Sequence, residues 1–252
     1  MTWVKCHKTN PEARLRLICF PFAGGITVYN SWFDQLPLDV RRVIELCSVL
    51  FPGHEGNGGG TLFSTLAPLL ELLVPAIASC SGSPFAFFGH SMGALVGFEL
   101  ARQLRRHCIP GPIHMIVSGH RAPQLQDRHP AIHQLPDPEF RHQLSALGGT
   151  PDSVLQNAEL MELLLPVLRA DFTVCESYQY TAEEPLECSI TAFGGNNDAK
   201  VSRSEITAWQ AQTRKSFSVR MFPGGHFFVQ TAEMLVLRIL AEDLKQVLRR
   251  LP

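Results

Sequence analysis

A serine placed between an apolar strand and a helix is the feature of this sequence best suited to chemistry. The segment at 89–93 reads G-H-S-M-G; it follows the apolar run Phe85–Phe88 and precedes a helical pattern that begins near Ala94. Glycines on both sides permit a sharp turn that holds the Ser91 hydroxyl clear of the sheet. The N–H of Met92 then lies at a helix N-terminus, which favours a developing negative charge. The pattern predicts a nucleophilic serine beside one oxyanion donor, against the alternative of a structural tight turn.

A serine nucleophile needs a base, and the chain has ten histidines from which to supply it. His226 lies in P-G-G-H-F-F, a glycine-rich loop after the last predicted strand, from which its ring can reach over the serine. His90 is adjacent to Ser91, and neighbouring side chains at a turn diverge, so we expect it to pack or to hydrogen-bond. His120 follows another predicted strand and is the remaining competitor. Position along the chain therefore favours His226 as the base.

The base must in turn be oriented by an acid, and in hydrolases with this turn the chain order is serine, acid, histidine. Asp198 directly follows the predicted strand Ser189–Phe193 and precedes His226 by one helix and one strand. An alternative role for Asp198 is to cap the next helix, which Ser202 could do instead. Some hydrolases with this turn instead carry the acid after the preceding strand, and in this chain Asp127 is the first acid available there. We predict Asp198 as the orienting acid.

A second oxyanion donor is expected from the loop after the first central strand. The loop reads F-P-F-A-G-G at 20–25, and its glycines permit close approach of the backbone. We predict the backbone N–H of Ala23, or failing that of Phe22, as the donor. The alternative is a plain turn that ends a strand.

Alternating strands and helices must position these residues. Six apolar runs predict strands, and helical patterns such as 94–107 and 202–215 lie between them. The predicted strands cover 15–20, 43–50, 85–88, 113–117, 189–193 and 217–222. This alternation implies a mostly parallel central sheet flanked by helices, within a single domain over 1–252.

One stretch, from about 135 to 180, breaks the alternation because it is helical without a convincing strand. A helical insert between parallel strands is best placed over their carboxyl ends, as a lid above the ligand site. The alternative is an extra helix pair on the flank of the sheet. The apolar side chains Leu164 and Leu168 are predicted to line an acyl channel under this lid, although an ordinary buried helix would show the same pattern.

Composition excludes several other classes of protein. The chain has 252 residues, of which 45% are hydrophobic, and 22 basic against 23 acidic residues leave a net charge of −1. No basic surface for nucleic acid and no membrane span are predicted. Seven cysteines without a C-x-x-C pair make metal binding or disulfides unexpected, so we predict no metal and a reduced, cytoplasmic enzyme.

Taken together, the motifs resemble those of the type II thioesterases that accompany non-ribosomal peptide and polyketide synthases. The resemblance runs nearly end to end, and two phrases in the predicted lid, L-G-G-T-P at 147–151 and L-P-V-L-R-A-D at 165–171, are its most specific part. Further matching segments are F-P-F-A-G-G, F-P-G at 51–53, G-H-S-M-G, S-G-H-R-A-P at 118–123, Y-Q-Y at 178–180 and G-G-H-F-F at 224–228. One segment departs: after Pro52-Gly53 the family usually has basic residues, whereas this chain reads H-E-G-N-G-G-G.

The resemblance implies an α/β-hydrolase fold with a helical lid and an editing activity. The expected reaction is hydrolysis of acyl thioesters from the phosphopantetheine arm of acyl or peptidyl carrier proteins, without a cofactor of the enzyme's own. Such carriers are typically acidic, so Arg121, Arg128 and Arg169 are candidates for a transient docking contact. A chain-releasing thioesterase or a general carboxylesterase would use the same triad. A catalytically idle, carrier-binding scaffold is the alternative from another class.

Overall fold

Strands and helices alternate along the chain in a computed structural model, which describes residues 3–25, 28–54 and 60–251. The strands are β1 (Val4–Cys6), β2 (Leu15–Phe20), β3 (Ile44–Val49), β4 (Phe85–His90), β5 (His114–Ser118), β6 (Ser189–Gly195) and β7 (Phe217–Phe222). The helices are α1 (Trp32–Gln35), α2 (Leu38–Arg41), α3 (Leu66–Ala78), α4 (Met92–Arg106), α5 (Asp137–Leu147), α6 (Asp152–Leu155), α7 (Ala158–Glu176), α8 (Arg203–Thr207), α9 (Phe228–Thr231) and α10 (Glu233–Arg249), with a 3₁₀ turn over Ala208–Gln212.

Within the described residues, these strands form one sheet in the order β1-β3-β2-β4-β5-β6-β7. Only the edge strand β1 is antiparallel to its neighbour, and every other pair is parallel. The predicted α/β class with a mostly parallel sheet is therefore confirmed. Because parallel strands end at the same edge, the loops after β2, β4, β6 and β7 meet above their carboxyl ends.

Two apolar layers cover the sheet, and the sequence of β4 shows how they arise. Phe85 and Phe87 face the layer beneath α3 and α4, whereas Ala86 and Phe88 face the layer beneath α10. Successive side chains of a strand point to opposite faces, so a strand buried on both sides is a continuous apolar run. This double burial holds β4 firmly, and with it the turn that carries Ser91.

A disulfide joins β1 to β3, so the prediction that the cysteines form no disulfide is wrong for Cys6 and Cys47. The antiparallel pairing of β1 with β3 places these two residues directly opposite each other. Sequence patterns did not predict β1, which has only three residues and exposes Lys5 at its centre. The carboxylate of Glu45 lies close to both sulfurs. It is bonded to Arg16, however, and the disulfide leaves no thiolate to bind a metal ion.

The helices α5, α6 and α7 form the helical insert between β5 and β6. They enclose an apolar cluster of their own, which includes Phe140, Met161 and Leu165. Arg169 strengthens the insert because its guanidinium bonds to Asp137 and lies 4.6 Å from the centre of the Phe140 ring. Among the described residues, no helix has the length and apolar character needed to cross a membrane. Most of the glycine-rich loop after Pro52 falls on 55–59, outside the described residues.

Candidate active site

The turn between β4 and α4 holds Ser91 in a conformation that side chains other than glycine seldom adopt, with φ 51° and ψ −117°. Both flanking positions require glycine, because a Cβ at either one would clash with the backbone. A Cβ on Gly89 would lie 2.2 Å from the carbonyl oxygen of Gly93, and one on Gly93 would lie 2.1 Å from that of Phe20. The sharp turn therefore presents the Ser91 hydroxyl at the carboxyl edge of the sheet.

The structure brings Ser91, His226 and Asp198 into one hydrogen-bonded chain. His226 Nε2 lies 3.1 Å from Ser91 Oγ, and His226 Nδ1 lies 2.9 Å from Asp198 Oδ2. Because a carboxylate only accepts hydrogen bonds, Nδ1 carries the proton and Nε2 is left to accept the one from the serine hydroxyl. Asp198 is itself fixed, since its Oδ1 accepts hydrogen bonds from the backbone N–H groups of Lys200 and Val201.

The other residues considered for these roles are bonded elsewhere. Asp127 pairs with Arg121 at 2.8 Å and therefore does not orient His226. Ser202 caps α8 in a capping box with Glu205, which leaves Asp198 available to the histidine. The predicted helix over 202–215 ends early, because its second half is a 3₁₀ turn that continues α8.

Two further histidines near the serine are buried and serve as packing and hydrogen-bonding groups. His90 contacts Ser118 Oγ through Nδ1 at 2.9 Å, and burial holds the pKa of its imidazole well below the ordinary value. For His120, burial and the charge of Arg121 lower the pKa to about 4. Both rings are therefore neutral at physiological pH and add no charge beside the catalytic chain.

Two backbone segments near the serine carry the predicted oxyanion donors. Met92 is the first residue of α4, so its N–H has no acceptor within the helix. Phe22 and Ala23 follow β2 and line the same cavity as Ser91. In the described part of the chain, no acceptor is recorded for the N–H of Ala23. The oxyanion roles of Met92 and of Ala23 (or Phe22) stay predictions.

An apolar cavity of about 120 Å³ opens from Ser91 and His226 towards the helical insert. Leu168 lines this cavity, with Leu144, Leu147 and Phe172 beside it. Leu164 does not line it, and the contact of either leucine with an acyl chain stays a prediction. Leu164 lies one turn earlier in α7 and packs against the insert's apolar cluster, to which Leu168 also belongs.

Comparison with known proteins gives the family. The thioesterase domain family matches residues 15–245. The chain is 44% identical over 247 residues to the gramicidin S biosynthesis protein GrsT of Aneurinibacillus migulanus, covering 98% of this chain and 95% of GrsT. The chain belongs to the thioesterase family. As a thioesterase of the serine-based α/β-hydrolase type, it is a hydrolase that acts on thioesters.

Solved structures of relatives agree with this family and fold. This thioesterase is similar to RedJ, a thioesterase of the prodiginine pathway of Streptomyces coelicolor, with TM-score 0.84 and 36% identity over 91% of this chain and 90% of RedJ. It is also similar to the type II thioesterase BorB from the borrelidin cluster, with TM-score 0.85 and 32% identity over 96% of this chain and 97% of BorB. The predicted α/β-hydrolase fold is confirmed.

Phe227 and Gly149 form a contact of the thioesterase that sequence reasoning missed. Phe227 lies against the loop after α5, where a Cβ on Gly149 would come within 2.1 Å of its ring. The ring also packs edge-on against Phe22, at 4.9 Å between ring centres. In the sequence, the repeated glycines at 148–149 and the paired phenylalanines at 227–228 were the available signal for this contact. The contact seats the insert on the loops that carry His226 and the proposed oxyanion donor.

Asp171 and His54 are also buried in this thioesterase, and neither was predicted to have a role. Asp171 Oδ2 accepts hydrogen bonds from His54 Nε2 at 2.7 Å and from the backbone N–H of Gly24 at 2.8 Å. The phrase L-P-V-L-R-A-D ends on this aspartate, which was the only signal for it.

The three arginines suggested for carrier docking differ in their surroundings. Arg121 and Arg169 are bonded inside the chain, to Asp127 and to Asp137. The side chain of Arg128 is 70% exposed, although its guanidinium also contacts Glu205. Arg128 is thus the best placed of the three to meet a partner.

Proposed function

We propose that this enzyme is a type II thioesterase that removes acyl groups from the phosphopantetheine arm of carrier proteins in polyketide or non-ribosomal peptide synthesis. The observation that carries the proposal is the chain from Asp198 through His226 to Ser91 beneath an apolar cavity. The likeness to GrsT, RedJ and BorB supports this setting, because each belongs to a biosynthetic system or cluster.

In the proposed mechanism, Ser91 Oγ attacks the thioester carbonyl while His226 Nε2 takes the hydroxyl proton. The carbonyl oxygen becomes an oxyanion that accepts hydrogen bonds from the N–H groups of Met92 and Ala23. The carbon–sulfur bond then breaks, and the departing thiolate takes the proton from His226. Water, deprotonated by His226, attacks the acyl-serine, and the returning proton restores Ser91 as the carboxylic acid leaves.

The apolar cavity supports an acyl group as the part of the substrate that enters the protein. Leu168 and Phe172 would contact the chain, and the phosphopantetheine arm would approach Ser91 from outside. A thioester is already an activated acyl donor, so we propose no cofactor and no metal ion of the enzyme's own. We propose the cytoplasm as the compartment, in keeping with the proposed carrier partners.

The test compares one acyl group on three leaving groups: a carrier protein, a minimal thiol and a matched oxygen ester. We expect the highest kcat/KM on the carrier, because binding energy from remote parts of a substrate can raise catalysis. The advantage should shrink as salt increases, since exposed charges are screened. Equal rates on carrier and minimal thiol at every salt concentration would exclude carrier recognition, and a preference for the oxygen ester would favour a carboxylesterase.

A further inference from the structure

A second histidine–aspartate pair lies outside the catalytic chain and links three separate segments. Asp171 belongs to α7 of the helical insert, His54 follows β3, and Gly24 belongs to the proposed oxyanion loop after β2. The side chains of His54 and Asp171 are each only 6% exposed. The carboxylate is therefore shielded from water, and its two hydrogen-bond donors come from outside the insert.

The partners of His54 determine its protonation. Nδ1 lies 3.1 Å from the carbonyl oxygen of Pro52, and Nε2 lies 2.7 Å from Asp171 Oδ2. Both of these groups accept hydrogen bonds, so both ring nitrogens must donate, which requires the imidazolium form. If the proton on Nε2 were lost, the lone pair of that nitrogen would point at a buried carboxylate, and Asp171 would lose its counter-charge.

The environment of His54 agrees with this proton count. Burial lowers the pKa of His54, but the hydrogen bond and charge of Asp171 outweigh it and leave the pKa above the ordinary value. Within the described residues, Asp171 is the one charged side chain bonded to the ring, and the Phe51 ring packs edge-on against it. Cys175, one turn further along α7, is a neutral thiol because burial raises its pKa.

The pair acts directly on the loop that carries the proposed oxyanion donor. The N–H that Asp171 binds belongs to the peptide between Ala23 and Gly24, one residue beyond the N–H of Ala23. Gly24 adopts φ 72°, and a Cβ there would lie 2.5 Å from a methyl carbon of Leu168, so α7 packs closely on this loop. Movement of Asp171 would therefore change the direction of the Ala23 N–H.

We propose that protonated His54 is a positioning residue: it holds Asp171 against the Gly24 amide and so fixes the oxyanion loop to the helical insert. This inference rests on the oxyanion role proposed for Ala23. His54 does not touch the substrate, and it acts only through Asp171. When His54 loses its proton, the loop loosens and the transition state loses part of its stabilisation.

The predicted consequence is a loss of activity at alkaline pH. A histidine with a raised folded pKa stabilises the fold below its unfolded pKa, and this stabilisation is lost as pH rises through the folded pKa. Activity should fall on the acid side for a different reason, because protonated His226 cannot act as a base. The two limbs of the pH profile thus belong to two histidines with different partners.

The experiment measures kcat and KM against pH for the wild type and for His54→Arg and His54→Gln, using a minimal acyl thioester. Removal of a single oxyanion donor costs about 100- to 1,000-fold, so a loosened donor should cost the wild type about tenfold in kcat at high pH, with little change in KM. His54→Arg should keep the acid limb and lose the alkaline one. His54→Gln should show the lowered kcat at every pH, and His107→Gln, at the exposed end of α4, should match the wild type.

Identical profiles for the wild type, His54→Arg and His54→Gln would overturn the proposal. If the His54 variants do not fold, Asp171→Asn gives the same test. An amide oxygen in place of Oδ2 can still accept from Gly24 and from protonated His54, but it carries no charge to hold the proton on His54. The pKa of His54 should therefore fall and the alkaline limb should move to lower pH, and an unmoved limb would contradict the proposal. Failure of the proposed function would be a distinguishable result, because no acyl-Ser91 intermediate would then form at any pH.

Discussion

Two histidine–aspartate pairs in this thioesterase have nearly the same geometry and opposite consequences. In one, His226 Nδ1 lies 2.9 Å from Asp198, and in the other, His54 Nε2 lies 2.7 Å from Asp171. The remaining nitrogen of His226 faces the hydroxyl of Ser91, which can donate a proton. The remaining nitrogen of His54 faces the carbonyl oxygen of Pro52, which cannot.

The group that faces the remaining ring nitrogen therefore decides what a histidine–aspartate pair does. A hydroxyl leaves one ring nitrogen free to accept a proton, which suits a general base. A carbonyl requires both nitrogens to donate, which suits a fixed cation. The two pairs differ little in burial, because both aspartates are shielded from water. The side chain of Asp198 is 0% exposed and that of Asp171 is 6% exposed. The following substitutions test this difference, from the largest expected effect to the smallest.

Ser91→Ala removes the hydroxyl that faces the remaining nitrogen of His226. We expect kcat to fall by about 10⁴- to 10⁶-fold, because no neighbouring group can replace the nucleophile. Turnover of an acyl-carrier thioester and the mass of the acyl-enzyme check this. Ser79→Ala, on an exposed hydroxyl at the end of α3, is the matched control. Near-normal turnover in Ser91→Ala would remove Ser91 from the mechanism.

The same substitution in the two aspartates compares the pairs directly. Asp198→Asn should lower kcat by about 10⁴-fold, because the amide no longer fixes the tautomer of His226. Asp171→Asn should cost about tenfold at most at neutral pH, since it disturbs one oxyanion donor indirectly. Steady-state kinetics at one pH measure both. A crippling Asp127→Asn beside a silent Asp198→Asn would show that the orienting acid is misassigned.

The cavity wall allows a test within a single helix. Leu168→Phe should narrow the cavity and shift the acyl preference towards shorter chains, because Leu168 lines it. Leu164→Phe, one turn earlier, should leave the preference unchanged and cost about 1–3 kcal/mol of stability through overpacking of the insert cluster. Rates on a series of acyl lengths, together with thermal melts, separate the two effects. The same shift in preference for both variants would contradict this description of the cavity.

The smallest effect on activity is expected at the sheet edge farthest along the strand order from His226. Cys6→Ala removes the disulfide to Cys47, which lies outside the site, so kcat and KM should not change. Stability should fall by about 2–4 kcal/mol under oxidising conditions, the usual contribution of a disulfide. Melting curves with and without reductant measure this, and the variant itself should not respond to reductant. Equal melting temperatures for oxidised wild type and Cys6→Ala would contradict the expectation.

Sequence patterns predicted the parts of the fold that depend on local order. The bounds of β2 and β7 agree with prediction, since turn residues flank both segments. The capping of α8 by Ser202 was also predictable from neighbouring residues. By contrast, β1 exists through its pairing with β3, and a three-residue segment carries too little periodicity to reveal this.

The candidate site likewise contains residues that local order predicted and residues that only packing brings together. Ser91, Asp198 and His226 each follow a strand in a loop of distinctive composition, so chain order was enough to select them. Asp171 and His54 are 117 residues apart and meet only because α7 packs across the loops after β2 and β3. No local pattern encodes such a contact, and the side of α7 that meets the cavity is likewise set by packing.

Nitrogen-15 NMR of histidine-labelled enzyme at pH 7.5 tests the central claim most directly, because it counts the protons on each imidazole. His54→Gln and His226→Gln variants assign the two sets of signals. The structure predicts two protonated nitrogens for His54, and for His226 a protonated Nδ1 with an unprotonated Nε2. An unprotonated ring nitrogen on His54 at this pH, or the same proton count on both histidines, would contradict the distinction between the two pairs.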